Sequence, residues 1–162
     1  MTVLRLRSSS GGISFSPRCL SEPIHVGKLP SLWQSVWLVF ANAKRCNHYA
    51  SLAETGFISW KKERNNFAIG DIVYVFSSAE RRIIFKTVVT GIEERSDSEY
   101  WVESAPNDIT WRLEAIQEYN GDALDEDLLK KHGFKGGRSL QHPMCNNPDL
   151  FEYIENQFNI QS

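Results

Sequence analysis

Cysteine is sparse in this chain and badly spaced for crosslinking. Cys19, Cys46 and Cys145 are 3 residues in 162, an odd number with no Cys-x-x-Cys pair. That argues against a disulfide framework and for a reducing compartment, so a cytoplasmic protein is expected. No apolar run approaches the roughly 20 residues a membrane-spanning helix needs, and no membrane partner is expected. Several enzyme signatures are also missing: a Gly-x-x-x-x-Gly-Lys-Ser/Thr phosphate loop, a His-x-Glu paired with Pro-Cys-x-x-Cys, and a His-Asn-His constellation. Acids are absent before Glu22. Residues 1–30 are instead rich in Ser, Gly, Pro and Arg, with too few core formers to offset ordering entropy. They are expected to be a disordered leader, with only a weak likeness to a transit peptide.

What remains is ordinary globular material. A hydrophobic share of 41% and a charged share of 23% suit a soluble fold, and 162 residues is the length of one domain. Residues 31–162 are expected to form it. Charge is unevenly placed: residues 1–92 hold 12 Lys and Arg against 5 Asp and Glu, and residues 93–162 hold 6 against 15. A chain of net charge −2 can therefore present one basic face. Such a face fits contact with a few phosphates better than neutralisation of a long backbone. Solvated charge without a partner is the alternative.

The core is expected to start near Trp33, and Val36–Phe40 reads as a strand covered on both faces. Asn47 is placed to cap a helix through Tyr49–Ala53, which Gly56 ends. Lys61 to Asn66 is polar and without period, a loop. Gly70-Asp71 turns the chain into Ile72–Ser77, and Ser78–Arg81 has the length of a hairpin connection to Ile83–Val89. After a turn at Ser96–Ser98 come a short strand Tyr100–Val102 and a longer one Ile109–Ile116. The expected fold class is α+β, a mixed sheet of about five strands curled into a small barrel with flanking helices. In the tail, Asp122 is placed to cap a helix from Ala123 to His132, before Gly133. Asn147-Pro148 opens the last helix, with Leu150, Phe151, Ile154 and Phe158 on one face.

The succession of strand Val36–Phe40, Asn42, helix, Trp60 and strand Ile72–Phe76 resembles the EVE domains and their YTH relatives of the PUA-like superfamily. The resemblance covers roughly residues 35 to 160. It extends to Leu128–Gly133, Gly136-Gly137-Arg138, Gln141-His142-Pro143 and Leu150–Phe158. Ala43 departs from it, since a Pro commonly follows the Asn of the first loop, and so does His142, where a small residue is usual. The resemblance implies that Trp60 walls a cage around a flipped, modified base, its flat face stacking while excluding water. Filling the space beneath the barrel is the other reading of Trp60. Asn42 and Asn47 fall where YTH relatives set amides against the base edge, a group offering donor and acceptor side by side. Asn47 serves equally as a helix cap. Trp101 falls near a second cage wall, whereas Trp111 reads as core. Ser77 and Ser78 point either to the pocket mouth or to turn chemistry.

Lys44, Arg45, Lys61, Lys62, Arg64, Arg81 and Arg82 come from three loops. The strand order is expected to gather them into a phosphate-facing rim around Trp60, with the acids of 93–127 elsewhere. Cys46, His48, His142 and Cys145 do not have the usual spacing of a structural zinc site, and neither a metal nor a cofactor is expected. The expected function is a non-enzymatic module that binds DNA or RNA carrying a modified base. The resemblance adds a nuclease subunit as a partner, the module serving as the specificity part of a restriction-type system. The alternatives are a small metal-dependent nuclease or hydrolase, and a protein-interaction module whose pocket is lost.

Overall fold

The computed structural model describes residues 34–136 and 147–162. The leader, Trp33, Gly137-Arg138, and Gln141-His142-Pro143 with Cys145 lie outside the described residues. The chain runs β1 (Val36–Ala41), α1 (His48–Thr55), β2 (Phe57–Lys61), β3 (Ile72–Ser77), β4 (Arg82–Glu94), β5 (Ile109–Glu118), α2 (Glu126–Lys130) and α3 (Pro148–Gln161). The strands make one 5-stranded sheet in the order β1-β3-β4-β5-β2. β1 and β3 are parallel, and every other neighbouring pair is antiparallel. The α+β class and mixed sheet are thus as the apolar pattern implies.

β3 sits inside the sheet and is buried at all 6 positions, which is why its run Ile-Val-Tyr-Val-Phe is continuous rather than alternating. Tyr74 and Phe76 pack with Leu150, Ile154 and Phe158 of α3, while Val73 and Val75 pack on the opposite face. There the edge strands meet, Trp37 and Val39 of β1 joining Ile58 of β2 and Leu52 of α1. The sheet therefore curls around the α1 face into a half-barrel. Register shifts at Val75/Phe76, Lys86/Thr87 and Val89/Gly91 supply the local bends. On the other face, Phe158 stacks on Tyr74 at 5.4 Å, and Glu155 accepts a hydrogen bond from the Tyr74 hydroxyl and pairs with Lys86.

The caps follow the sequence. Asn47 Oδ1 accepts from Ala50 N at 3.0 Å, Gly56 closes α1 at φ 82°, and Asn147 caps α3 ahead of Pro148. Three elements differ from expectation. Phe57–Lys61 is a strand, short and at the sheet edge, with Trp60 opposite Trp111. Tyr100–Val102 is not one: it follows a 3₁₀ turn at Ser98–Tyr100 and makes a single bridge, Trp101 to Cys46. In the tail, Asp125 rather than Asp122 caps the helix, its Oδ1 accepting from Leu128 N at 2.9 Å. The chain before it, bent and turned at 121–124, is tied down by Ile83 N donating to Leu124 O and by a bridge between Arg82 and Asp125.

A buried ionic clamp positions the segment after β4. Arg95 reaches Asp108 with two bonds, 2.7 and 3.1 Å, and donates to Ser59 O at 2.9 Å and Asp97 Oδ1 at 3.2 Å. Asp97, fully buried, also accepts from Ser59 N at 3.0 Å and Trp101 Nε1 at 3.2 Å. Nearby His48, first residue of α1, packs on Trp60 with ring centres 5.4 Å apart. Burial lowers its pKa to about 4, outweighing the opposing Asp97 charge.

Two stability predictions follow from these groups. Arg95→Met strands the Asp97 carboxylate and should cost about 3 kcal/mol, the low end for breaking a buried pair. Adding Asp97→Asn should then cost less than the sum of the two single changes, as denaturant unfolding would read. For His48, the unfolded ring titrates near 6.5 and the folded one near 4. As pH falls from 6.5 towards 4 the unfolded state binds the proton first, so stability is full above pH 6.5 and declines below it, by up to about 3 kcal/mol. His48→Phe should flatten that part of a stability profile measured from pH 7.5 to 4.5.

Candidate nucleic-acid interface

Where β1 ends, Asn42 builds the turn into α1. Its carbonyl accepts from Arg45 N at 3.0 Å and Cys46 N at 3.2 Å, and its Oδ1 accepts from Lys44 N at 3.0 Å. The hairpin after β3 closes on that turn: Ser78 N donates to Ala41 O at 3.0 Å and Ser78 Oγ accepts from Ala43 N at 2.8 Å. Between turn, hairpin and the start of α1 lies a pocket of about 40 Å³, with Ala43, Cys46, Asn47, His48, Tyr49 and Ser77 in its lining. That is room for a few waters at roughly 10–15 Å³ each, so it admits an edge or a small group and cannot enclose a ligand whole.

Its polar groups differ in what they have left to offer. Asn47 spends its oxygen on the cap, while its amide N–H pair has no acceptor among the described residues. His48 Nδ1 is buried and makes no well-formed hydrogen bond, a position that ordinarily costs roughly 1–3 kcal/mol, although the Cys46 carbonyl lies close enough to His48 to favour its protonated form slightly. With its pKa near 4, the ring is neutral at physiological pH. Burial pushes the Cys46 thiol up to about 12, with Asp97 adding to the rise, so it is neither a nucleophile nor a ready metal ligand. Tyr49 hydroxyl donates to Glu118 at 2.6 Å at the rim.

The structure sorts the residues that the sequence nominated. Asn47 and Ser77 line the pocket, and Asn42 shapes the turn beside it. Trp60 is half-buried, reaches the pocket only through its contact with His48, and does not itself line it. Trp101 belongs to the clamp: Asp97 holds its N–H, and the guanidinium groups of Arg95 and Arg45 lie 4.7 and 5.5 Å from its ring. Trp111 is core, its N–H donated to Asn65 O at 2.9 Å. His48 is the residue that sequence reasoning passed over, having weighed it only as a zinc ligand. Its place directly after a capping Asn was the available signal.

Most of the basic residues expected to form a rim are paired with carboxylates. The turn bearing Lys44 and Arg45 and the hairpin bearing Arg81 and Arg82 meet at the pocket end. Lys61 ends β2 one residue past Trp60, facing Thr110, which in turn faces Glu93, and Lys62 and Arg64 follow it. The acids of 93–127 do not keep apart. Arg45 pairs with Glu103 at 2.6 Å, Arg81 with Glu126 at 2.8 Å, and Arg82 donates to Tyr119 O. Lys61 and Arg64 both pair with Glu63, and Lys62 lies 5.5 Å from the Trp111 ring. Lys44 makes no ion pair among the described residues. Among those residues no three His, Cys, Asp or Glu side chains converge as a metal site would require. His142 and Cys145 lie outside them.

No family model and no curated protein sequence matches the chain. Solved structures do. A Pseudomonas putida protein from a structural-genomics programme superposes with TM-score 0.52 at 18% identity, over 76% of this chain and 99% of that one. A hypothetical protein from Leishmania major gives 0.53 at 16% identity, over 79% and 96%. The YTH domain of the Zygosaccharomyces rouxii MRB1 protein, solved in complex with N6-methyladenosine RNA, gives 0.51 at 12% identity, over 84% and 92%. At these identities the likeness establishes the fold alone: a curled, five-stranded α+β half-barrel like that of the YTH domain.

Proposed function

We propose that the chain is a non-enzymatic nucleic-acid reader that holds a flipped, modified base against Trp60, and that within the PUA-like folds it stands with the EVE domains. The observation that carries this reading is the meeting of Trp60, His48 and Asn47 at the start of α1, a stacking ring beside unclaimed polar atoms. A flat apolar face with a few convergent polar groups is what a base site requires. The likeness to a YTH domain solved with methylated RNA supports the same ligand class. The inert Cys46 thiol removes one nucleophile from the pocket. Chemistry on the bound strand falls to a separate nuclease subunit, which this module would direct as the specificity part of a restriction-type system.

Trp60→Ala should weaken binding of the preferred modified oligonucleotide by about 10-fold, within the roughly 1–3 kcal/mol that stacking one base on an aromatic ring is worth. Fluorescence anisotropy with matched modified and unmodified DNA and RNA strands measures it, with thermal unfolding as the control for the fold. Binding no oligonucleotide at all would sink the reading.

Because most cations already have carboxylate partners, the salt dependence should be shallow, a log–log slope of about 2 at roughly 0.7–0.9 per phosphate contacted. Lys44→Ala should lower affinity more than Lys61→Ala or Arg64→Ala, since Lys61 and Arg64 already pair with Glu63 and Lys44 has no ion pair among the described residues. A slope several times steeper, or equal losses in all three variants, would favour a backbone groove over a base reader.

A further inference from the structure

Only two buried side-chain polar atoms lack a well-formed hydrogen bond among the described residues: Ser35 Oγ, at the entry to β1, and His48 Nδ1, on a residue that lines the pocket. The fold does not need that nitrogen. A Phe would fill the same space against Trp60 without a stranded polar atom, and the cap of α1 is already made by Asn47. A buried unpaired group calls for an explanation, and one that lines a pocket finds it in a ligand. The neighbours narrow the chemistry. A neutral imidazole offers one donor and one acceptor, and the free amide N–H pair of Asn47 adds donors. That set suits an uncharged heterocycle edge and gives a phosphate little. The 49° tilt between the His48 and Trp60 rings keeps His48 from stacking flat on the indole, and Trp60 remains partly exposed.

We propose that His48 is the specificity-determining contact of this site: its Nδ1, with the Asn47 amide beside it, reads the hydrogen-bonding edge of the base whose face lies on Trp60. The inference rests on the base-reading function above and goes further by dividing the work. Trp60 supplies affinity that any base can use, and His48 supplies the preference among bases.

The test uses the full chain, with oligonucleotides carrying N6-methyladenosine or 5-methylcytosine and their unmodified counterparts. His48→Asn puts an amide near the place of Nδ1, His48→Gln puts one near Nε2, and His48→Phe keeps only the ring. His48→Phe and His48→Gln should lower affinity for the preferred strand about 10-fold and level the ratio between modified and unmodified strands, while His48→Asn keeps most of both. Trp60→Ala should weaken both strands and leave their ratio. With ¹⁵N-labelled histidine, the His48 Nδ1 resonance of the wild type should move on saturation with the preferred strand.

An unchanged ratio in His48→Phe, or a stationary Nδ1 resonance, overturns the inference; the reader function survives either result if Trp60→Ala still weakens binding. Failure of the wild type to bind any strand overturns both. Should His48→Phe not fold, the contrast between Asn and Gln and the Nδ1 resonance decide.

Discussion

The Asp97 carboxylate, fully buried just past the end of β4, is the contact on which the site end of the half-barrel depends. One oxygen accepts from Ser59 N, a backbone amide of the edge strand β2; the other takes the Trp101 indole and the Arg95 guanidinium. An edge strand leaves amides without ladder partners, and a buried one must be satisfied from elsewhere. Asp97 satisfies this one and in doing so fixes β2, with Trp60 on it, relative to the segment that bridges back to Cys46 and donates Val102 N to Arg45 O. Asp71 does the corresponding work at the other edge. It accepts from Ser35 N, the Trp37 indole and Ala68 N, binding the start of β1 to the loop before β3. Two carboxylates, each holding an indole and backbone amides, thus tie down the two edges that a half-barrel leaves open.

This explains which parts of the fold were legible. β1, β3 and the hairpin to β4 are announced by β-branched and aromatic runs buried on both faces, and the caps at Asn47 and Asn147 by local chemistry that needs no tertiary partner. β2 was not, because 5 residues at an edge, only two of them buried, carry too short a pattern, and its place is set by Asp97, 38 positions away. Tyr100-Trp101-Val102 has strand composition but is shaped by the same carboxylate. Asp122 and Asp125 are equivalent caps in sequence; the pairing of Leu124 with Ile83 decides between them. Within the site, Trp60 and Asn47 were readable from order along the chain. His48 was not, since what singles it out is a missing hydrogen bond, and a missing hydrogen bond is a property of three dimensions.

The charge distribution shows the same limit. Counting by halves suggested a basic face and a distant acidic one, but the later half of the chain is woven through the earlier. β5 lies between β4 and β2, and the acids that follow β4 fold back onto cations from the first half, Glu103 on Arg45 and Glu126 on Arg81. Exposed pairs of this kind are worth at most about 1 kcal/mol, so a phosphate can replace the carboxylate with little loss. They hold the cations in place without committing them, while suppressing the long-range attraction that a bare basic patch would exert on any polyanion.

Under the proposed base-reading function, a surface so neutralised shifts discrimination onto the pocket. Backbone contacts cannot distinguish one base from another, and stacking on an indole accepts every base because each has a π face. What remains is the hydrogen-bonding edge, and there a protein gains most from groups that are desolvated and held in position before the ligand arrives. His48 meets both conditions. Folding has already dehydrated it and fixed its ring between the α1 cap and Trp60, and has left its Nδ1 without a well-formed hydrogen bond. A ligand that completes that bond recovers the desolvation penalty, whereas one that fits the space without completing it leaves the nitrogen stranded. The polar atom that weakens the free fold is therefore the one best able to separate the right base from its near copies.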